Sequence, residues 1–236
     1  MGRLGCLVTV VGMLLAALAV GGEEAPKGDP AKQTTVVRGT VPQDLTGRWL
    51  VVGWVELPGG KARTTTALWE IGHDKDQLTL TRRFVTLPST QRDALAQANA
   101  DERAWHPSPD DLAQLAAAWG TLPAEDPQVA AITHEIIGRD GFDEAFTNDP
   151  KSKGALWAVR QALTFARSAA PAIKEIDVFS TLAPREQGFG GNYVTATIAA
   201  APFPIPITLT GSFGMYRLGA PRARGRLLDF FSGCGR

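Results

Sequence analysis

The chain has 236 residues, 44% of them hydrophobic, and carries 24 basic (Lys and Arg) and 24 acidic (Asp and Glu) side chains. This composition is typical of a globular protein that can bury one substantial core. A formal net charge of zero argues against a nucleic-acid binder, because neutralising phosphates takes an excess of Lys and Arg on at least one surface.

The first 21 residues have the pattern of a secretory signal peptide. Arg3 supplies a positive charge, Leu4 to Val20 is apolar or small throughout, and Ala17, Ala19 and Gly21 fit cleavage after Ala19 or after Gly21. The alternative is a retained anchor, since an apolar run of about 17 residues lies at the short edge of what spans a bilayer. We expect removal, and therefore an extracytoplasmic (periplasmic or secreted) protein with no transmembrane span after signal removal.

Signal removal also takes away Cys6 and leaves Cys234 as the single thiol. A lone thiol cannot form an internal disulfide, so we interpret Cys234 as an exposed residue of the C-terminal tail. Residues 22–44 are polar and poor in apolar side chains, which predicts a flexible leader. Within it, Val36 and Val37 are candidates for the start of an edge strand.

Three predicted strands follow: Leu45 to Leu57, Arg63 to Ile71 and Leu78 to Leu87. Their period-two alternation and the Gly and Asp turns between them predict an antiparallel meander. The first strand is apolar on both faces, with Trp49, Val51 and Val55 on one and Leu50, Val52 and Trp54 on the other. We therefore expect a core on one side and further structure on the other.

From Ser89 to about Ala170 the apolar spacing changes to three and four, which predicts a helical insertion of about four helices. The first is Thr90 to Arg103, and the second begins at a Ser108 cap followed by proline and two acids. The third carries Val129, Ile132, Thr133 and Ile136, and the fourth runs from Ser152 to about Ala169. On the third helix, His134 falls away from the apolar face and is expected to be solvated.

Strand patterns resume at Ile173 to Thr181, Tyr193 to Ala200 and Ile205 to Leu218. The predicted fold class is therefore α+β, in one domain over residues 45–236. Its antiparallel β-sheet, or partial β-barrel, is interrupted by the helical insertion at about 89–170.

Gly47-Arg48-Trp49 on the first strand resembles the Gly-x-Trp signature of lipocalin-type barrels, and Arg217 lies where such families place an arginine over that tryptophan. The chain differs by its helical insertion and by six predicted strands where that family closes a barrel with eight. The resemblance implies that the barrel binds a small apolar molecule, and it does not imply catalysis.

No catalytic signature is visible. His134 and Glu135 begin like the metalloprotease helix motif, but Gly138 stands at the second ligand position, so we expect no zinc site, no other metal site and no cofactor. A hydrolase assembled from His106, Asp110 and Glu135 is one alternative, because sequence does not show spatial proximity.

The leading hypothesis is a non-catalytic protein that binds a small apolar ligand. The predicted ligand-binding residues are Trp49, Trp54, Trp69 and Arg217. A second hypothesis is a cell-envelope module that binds a protein partner through the helical block or through the tail that carries Arg222, Arg224 and Arg226.

Overall fold

A computed structural model describes residues 31–41, 45–57, 61–125, 129–143, 154–165, 173–185, 188–199 and 206–219. The predicted signal peptide, most of the predicted leader, Cys234 and the arginine-rich tail lie outside the described residues. Within them, no helix is both long and apolar enough to cross a membrane.

Nine strands of the described chain form one sheet, and two α-helices lie between the fourth strand and the fifth. The strands are β1 (Lys32–Arg38), β2 (Gly47–Glu56), β3 (Ala62–Asp74), β4 (Gln77–Arg83), β5 (Val129–Gly138), β6 (Trp157–Phe165), β7 (Ile173–Arg185), β8 (Gly188–Ala199) and β9 (Pro206–Leu218). The helices are α1 (Ser89–Ala100) and α2 (Pro109–Ala118).

The strands follow one another in the order β1-β5-β6-β7-β8-β9-β2-β3-β4. Every neighbouring pair is antiparallel except β1 and β5, which run parallel. The two outer strands, β1 and β4, come together, so the sheet forms a nearly closed barrel.

The contact between β1 and β4, which we call the seam, is made by side chains of β1 and the backbone of β4. The Gln33 amide donates to the Arg82 carbonyl at 2.8 Å and accepts from the Arg82 N–H at 2.8 Å. The Thr35 hydroxyl makes the same two bonds with Leu80, at 3.2 and 2.9 Å. Side chains thereby satisfy the backbone groups that the edge of β4 would otherwise leave unpaired.

The barrel has two apolar clusters, and β2 contributes to both. Its inward residues Trp49 and Val55 belong to a core inside the barrel. Its outward residues Leu50 and Val52 pack instead with Leu115 of α2 and other helical residues. The prediction that this strand is covered on both faces is confirmed.

The helices are fixed to the outside of the barrel by polar contacts as well. The Asn99 amide of α1 accepts from the Thr64 N–H at 2.7 Å and donates to the Thr64 carbonyl at 3.3 Å, which covers the part of β3 that extends beyond β4. After α2, the Trp119 ring lies beside two guanidinium groups, 5.2 Å from that of Arg48 and 4.7 Å from that of Arg83.

The predicted α+β fold class is wrong, because the structure is mostly β with two α-helices rather than about four. The first two predicted helices are present as α1 and α2, and α2 has the predicted Ser108 cap. The other two are strands: Val129–Gly138 is β5, and Trp157–Phe165 is β6.

The physical reason lies in polar residues that point into the barrel. In β5 the inward residues are Ile132, His134 and Ile136, and in β6 Gln161 lies between inward apolar residues. A buried His and a buried Gln interrupt the apolar alternation by which a strand is recognised. His134 is 0% exposed, so the expectation that it is solvated is also wrong.

Candidate functional site

Trp49 and Arg217 contact each other on the neighbouring strands β2 and β9. The two residues are register partners, and the Arg217 guanidinium carbon lies 4.3 Å from the centre of the indole ring. Arg217 Nη1 donates to the Thr46 carbonyl at 2.8 Å, and Trp49 Nε1 donates to the Leu45 carbonyl at 2.8 Å. The predicted position of the arginine over the tryptophan is confirmed, and both polar ends are held by the chain that enters β2.

Gly47 makes this close approach sterically feasible. Its φ of 144° is strained for residues with a side chain, and a Cβ at this position would lie 2.5 Å from Arg217 Nη1. The Gly-x-Trp sequence therefore has a local explanation: the glycine leaves room for the guanidinium that covers the indole.

Next to this contact, further aromatic rings lie in the interior. Phe189 of β8 lies 5.7 Å from the Trp49 ring and 5.5 Å from the Trp157 ring, the second contact being edge to face. Trp69 of β3 is the register partner of Trp49 and belongs to the same core. These rings make a large apolar surface, and their geometry is favourable for aromatic pairs.

Two indole N–H groups in the described part of the interior lack a hydrogen-bond acceptor. Among the described residues, the buried Nε1–H groups of Trp69 and Trp157 have no hydrogen-bond acceptor, although the side chains are only 3% and 0% exposed. Buried indole N–H groups are normally paired, and an unpaired one costs about 1–3 kcal/mol. Two such donors therefore set the interior apart from an ordinary packed core.

A row of polar side chains runs round the inside of the barrel from the seam. His134 Nε2 lies 2.9 Å from Gln33 Oε1, and His134 Nδ1 lies 3.0 Å from Gln161 Nε2. Because the Gln33 oxygen can only accept and the Gln161 amide nitrogen can only donate, the ring carries its proton on Nε2. This neutral tautomer satisfies both ring nitrogens.

The surroundings of His134 keep it neutral. Burial, and next the positive charge of Arg82, lower the pKa of the imidazole from 6.5 to about 3. A protonated ring would also lose the hydrogen bond that Nδ1 accepts from Gln161. Proton transfer by this histidine near neutral pH is therefore disfavoured, and its role is to join β5 to the seam and to β6.

Arg82 of β4 is a second cation of this interior, besides Arg217. It alternates with Leu80 and Phe84, which both contact the inner core, so its side chain is on the inner face. Desolvation lowers the pKa of its guanidinium from 12.5 to about 10, so it remains charged at neutral pH. Its charged group lies 5.4 Å from the Phe84 ring.

The predicted site residues are only partly brought together. Trp49, Trp69 and Arg217 face the interior, whereas Trp54 is half-buried on the outer face of β2, with Leu50 and Val52. The structure therefore does not bring Trp54 to the other three.

Sequence reasoning missed five interior residues: Gln33, Arg82, His134, Trp157 and Gln161. Strand alternation alone could have found Arg82, because it shares a face with Leu78, Leu80 and Phe84. The others lie in segments predicted to be leader or helix.

The residues of the hydrolase alternative are not assembled into a site. His106 and Asp110 are exposed in the segment of the two helices, and Glu135 is on β5 in an ion pair with Arg38. No hydrogen bond or ion pair joins the three among the residues that the structure describes. Likewise, no group of three or more His, Cys, Asp or Glu side chains in the described ranges could hold a metal ion.

The fold and this interior define a class of structure: a nearly closed, nine-stranded barrel-like sheet, consistent with a lipocalin-like barrel. No protein-family model, curated protein or solved structure matches the chain.

Proposed function

We propose that this protein is a non-catalytic binding protein that takes a small, largely apolar molecule into the barrel interior, in the manner of lipocalins. The observation that carries the proposal is the pair of buried, unpaired indole donors on Trp69 and Trp157. A molecule with a hydrogen-bond acceptor would remove the cost of these donors, and its apolar part would meet aromatic and aliphatic side chains.

The apolar side chains of the interior support the proposal that the ligand is apolar. Large side chains from β2, β3, β6, β8 and β9 belong to the inner cluster, among them Trp49, Trp157, Phe189 and Met215. Small-molecule sites in proteins are mostly lined by such residues, with a few polar groups that fix orientation. The signal-like N-terminus further supports an extracytoplasmic carrier or scavenger, a location that N-terminal sequencing of the exported protein would test.

The test begins with the full chain purified under native conditions. We expect native mass spectrometry and solvent extraction to reveal a copurifying small molecule, and we expect fatty-acid or retinoid-like probes to quench tryptophan fluorescence saturably. Absence of any copurifying molecule, together with no saturable quenching by the whole panel, would contradict the proposal.

Three single substitutions localise the site. Trp69→Phe and Trp157→Phe each remove one unpaired donor while keeping an aromatic ring, and we expect them to weaken binding of acceptor-bearing probes several-fold. Trp54→Phe, on the outer face of β2, is the matched control and should leave affinity unchanged. Equal effects of all three substitutions would place binding outside the barrel.

A further inference from the structure

Arg82 is an interior cation for which the described residues supply no counterion. Arg82 is on the inner face of β4, at the seam, where its backbone bonds to Gln33 and Gln33 Oε1 lies 2.9 Å from His134 Nε2 of β5. Arg82 keeps some accessible surface even though protein atoms surround its guanidinium. The guanidinium is therefore desolvated, although the Arg82 residue is not fully enclosed.

Nothing in the described chain neutralises that charge. The guanidinium forms no ion pair and no hydrogen bond with any described residue, and its closest defined partner is the face of Phe84. The hydrogen bonds between Arg82 and Gln33 use only the backbone of Arg82. His134 cannot compensate, because an imidazole is either neutral or positively charged. A desolvated cation with only a ring beside it is costly and normally occurs with an opposite charge.

A second donor lies at the neighbouring position. Trp69 is the direct register partner of Arg82 on β3, and both residues face inward. Directly opposed residues on antiparallel strands have Cβ atoms roughly 5 Å apart. The unpaired Nε1–H of Trp69 and the free guanidinium of Arg82 therefore belong to one part of the barrel wall.

We propose that Arg82, assisted by the Trp69 indole N–H, binds the carboxylate of an apolar organic acid whose hydrocarbon part lies among the interior aromatic rings. The planar guanidinium matches a carboxylate in geometry, and charge-assisted hydrogen bonds are the strongest available in a desolvated site. The one guanidinium beside Trp69 favours a ligand with a single negative charge. This assignment deepens the proposed function and rests on it.

The test compares straight-chain carboxylic acids with the primary alcohols of the same lengths, using isothermal titration on the full chain. We expect the wild type to bind the acid about tenfold or more tightly than the alcohol, as a charge-assisted contact implies. In Arg82→Met, which keeps an apolar stem, this preference should fall to about twofold or less while alcohol affinity is retained.

Arg92→Met is the matched control, because Arg92 is exposed on α1 and its loss changes the net charge by the same amount. It should keep the full preference for the acid. We expect Arg82→Met to fold, because the bonds of residue 82 to Gln33 use only its backbone, and circular dichroism would check this.

The outcomes separate this inference from the proposed function. Equal binding of acid and alcohol by the wild type, or an undiminished preference in Arg82→Met, overturns the carboxylate site and leaves apolar binding intact. Tighter binding of an alkyl phosphate than of the acid of equal length also overturns it. Failure of acids, alcohols and other apolar probes alike overturns the proposed function, and the carboxylate site with it.

Discussion

At the scale of single residues, His134 links the stability of the barrel to pH. Its pKa is about 3 in the folded protein, against 6.5 for an ordinary histidine, so below pH 6.5 the unfolded chain binds a proton that the folded chain does not. The stability linked to this histidine is therefore fully present above pH 6.5, and it is lost progressively as the pH falls toward the folded-state pKa. Because of this histidine, the free energy of unfolding should fall by about 2 kcal/mol when the pH is lowered from about 7 to 5.

Urea unfolding at several pH values measures this effect. His134→Gln should lose most of the slope between about pH 6.5 and pH 5, a window that lies above the usual pKa values of acidic side chains. The exposed His106 offers a control, and His106→Gln should keep the slope of the wild type. A slope unchanged in His134→Gln would show that the imidazole is not the group responsible.

Gly47 and Gly219 allow a second comparison between single residues. Both have positive φ, at 144° and 102°, but an added Cβ would meet Arg217 at Gly47 and open space at Gly219. Gly219→Ala should therefore show the conformational cost alone, about 1–3 kcal/mol. Gly47→Ala should cost about 1–3 kcal/mol more, because the guanidinium must move off the Trp49 ring.

Chemical denaturation gives these free energies, and near-ultraviolet circular dichroism reports the environments of the aromatic side chains, including Trp49. Only Gly47→Ala should alter that spectrum. If the two variants lose equal stability, the contact between Arg217 and Trp49 does not depend on the missing side chain.

The contact between Trp49 and Arg217 could be anticipated from the sequence because a short local pattern, Gly-x-Trp, carries its steric requirement within three residues. The charge of Arg82 could not be interpreted in the same way. Its significance depends on which side chains face it across the barrel, and those come from β1 and β5, far away in the chain.

At the scale of elements, the seam depends on the side chains of Gln33 and Thr35, which bond to the β4 backbone as a neighbouring strand would. Thr35→Val has nearly the same shape as threonine but leaves the Leu80 N–H and carbonyl without their partner, so it should cost about 1–3 kcal/mol. Hydrogen exchange should show faster exchange of the Leu80 amide.

Thr34→Val is the neighbouring control, because Thr34 is exposed and its hydroxyl lies 3.5 Å from that of Thr133. It should change stability by less than about 0.5 kcal/mol. Equal destabilisation by the two variants would mean that the hydroxyl of Thr35 does not hold the seam.

Strands with uniform alternation were predictable, and strands with polar inward residues were not. The β2–β4 meander shows the expected period of two and is present as predicted. In β5, the spacing of Val129, Ile132 and Ile136 also fits a helix. This spacing led to the helix prediction, although β-branched residues favour a strand. The hydrogen bonds of His134 to Gln33 on β1 and to Gln161 on β6 explain why this polar residue is buried.

At the scale of the whole molecule, closure of the barrel could not be predicted from local sequence patterns. The sequence predicts a sheet or partial barrel and marks Val36 and Val37 as candidates for an edge strand, but it offers no sign that this strand pairs with β5. Parallel pairing between such distant segments leaves no turn or spacing signal, because no short connection joins the two strands.

The parallel pairing of β1 with β5 also has a consequence for the order of folding. Thr34 and Thr133 are neighbours in space but 99 residues apart in the chain, so β1 must wait until β5 has been synthesised and placed. Closing so long a loop costs entropy before any contact repays it. We expect β1 to dock last, after the β2–β3 hairpin.

Pulsed hydrogen exchange during refolding would show this order as late protection of β1 amides relative to those of β2 and β3. Simultaneous protection of all three strands would contradict it. If β1 docks last, the most N-terminal strand of the barrel is the last to join it, and until then the edges of β4 and β5 stay open to pairing with other chains.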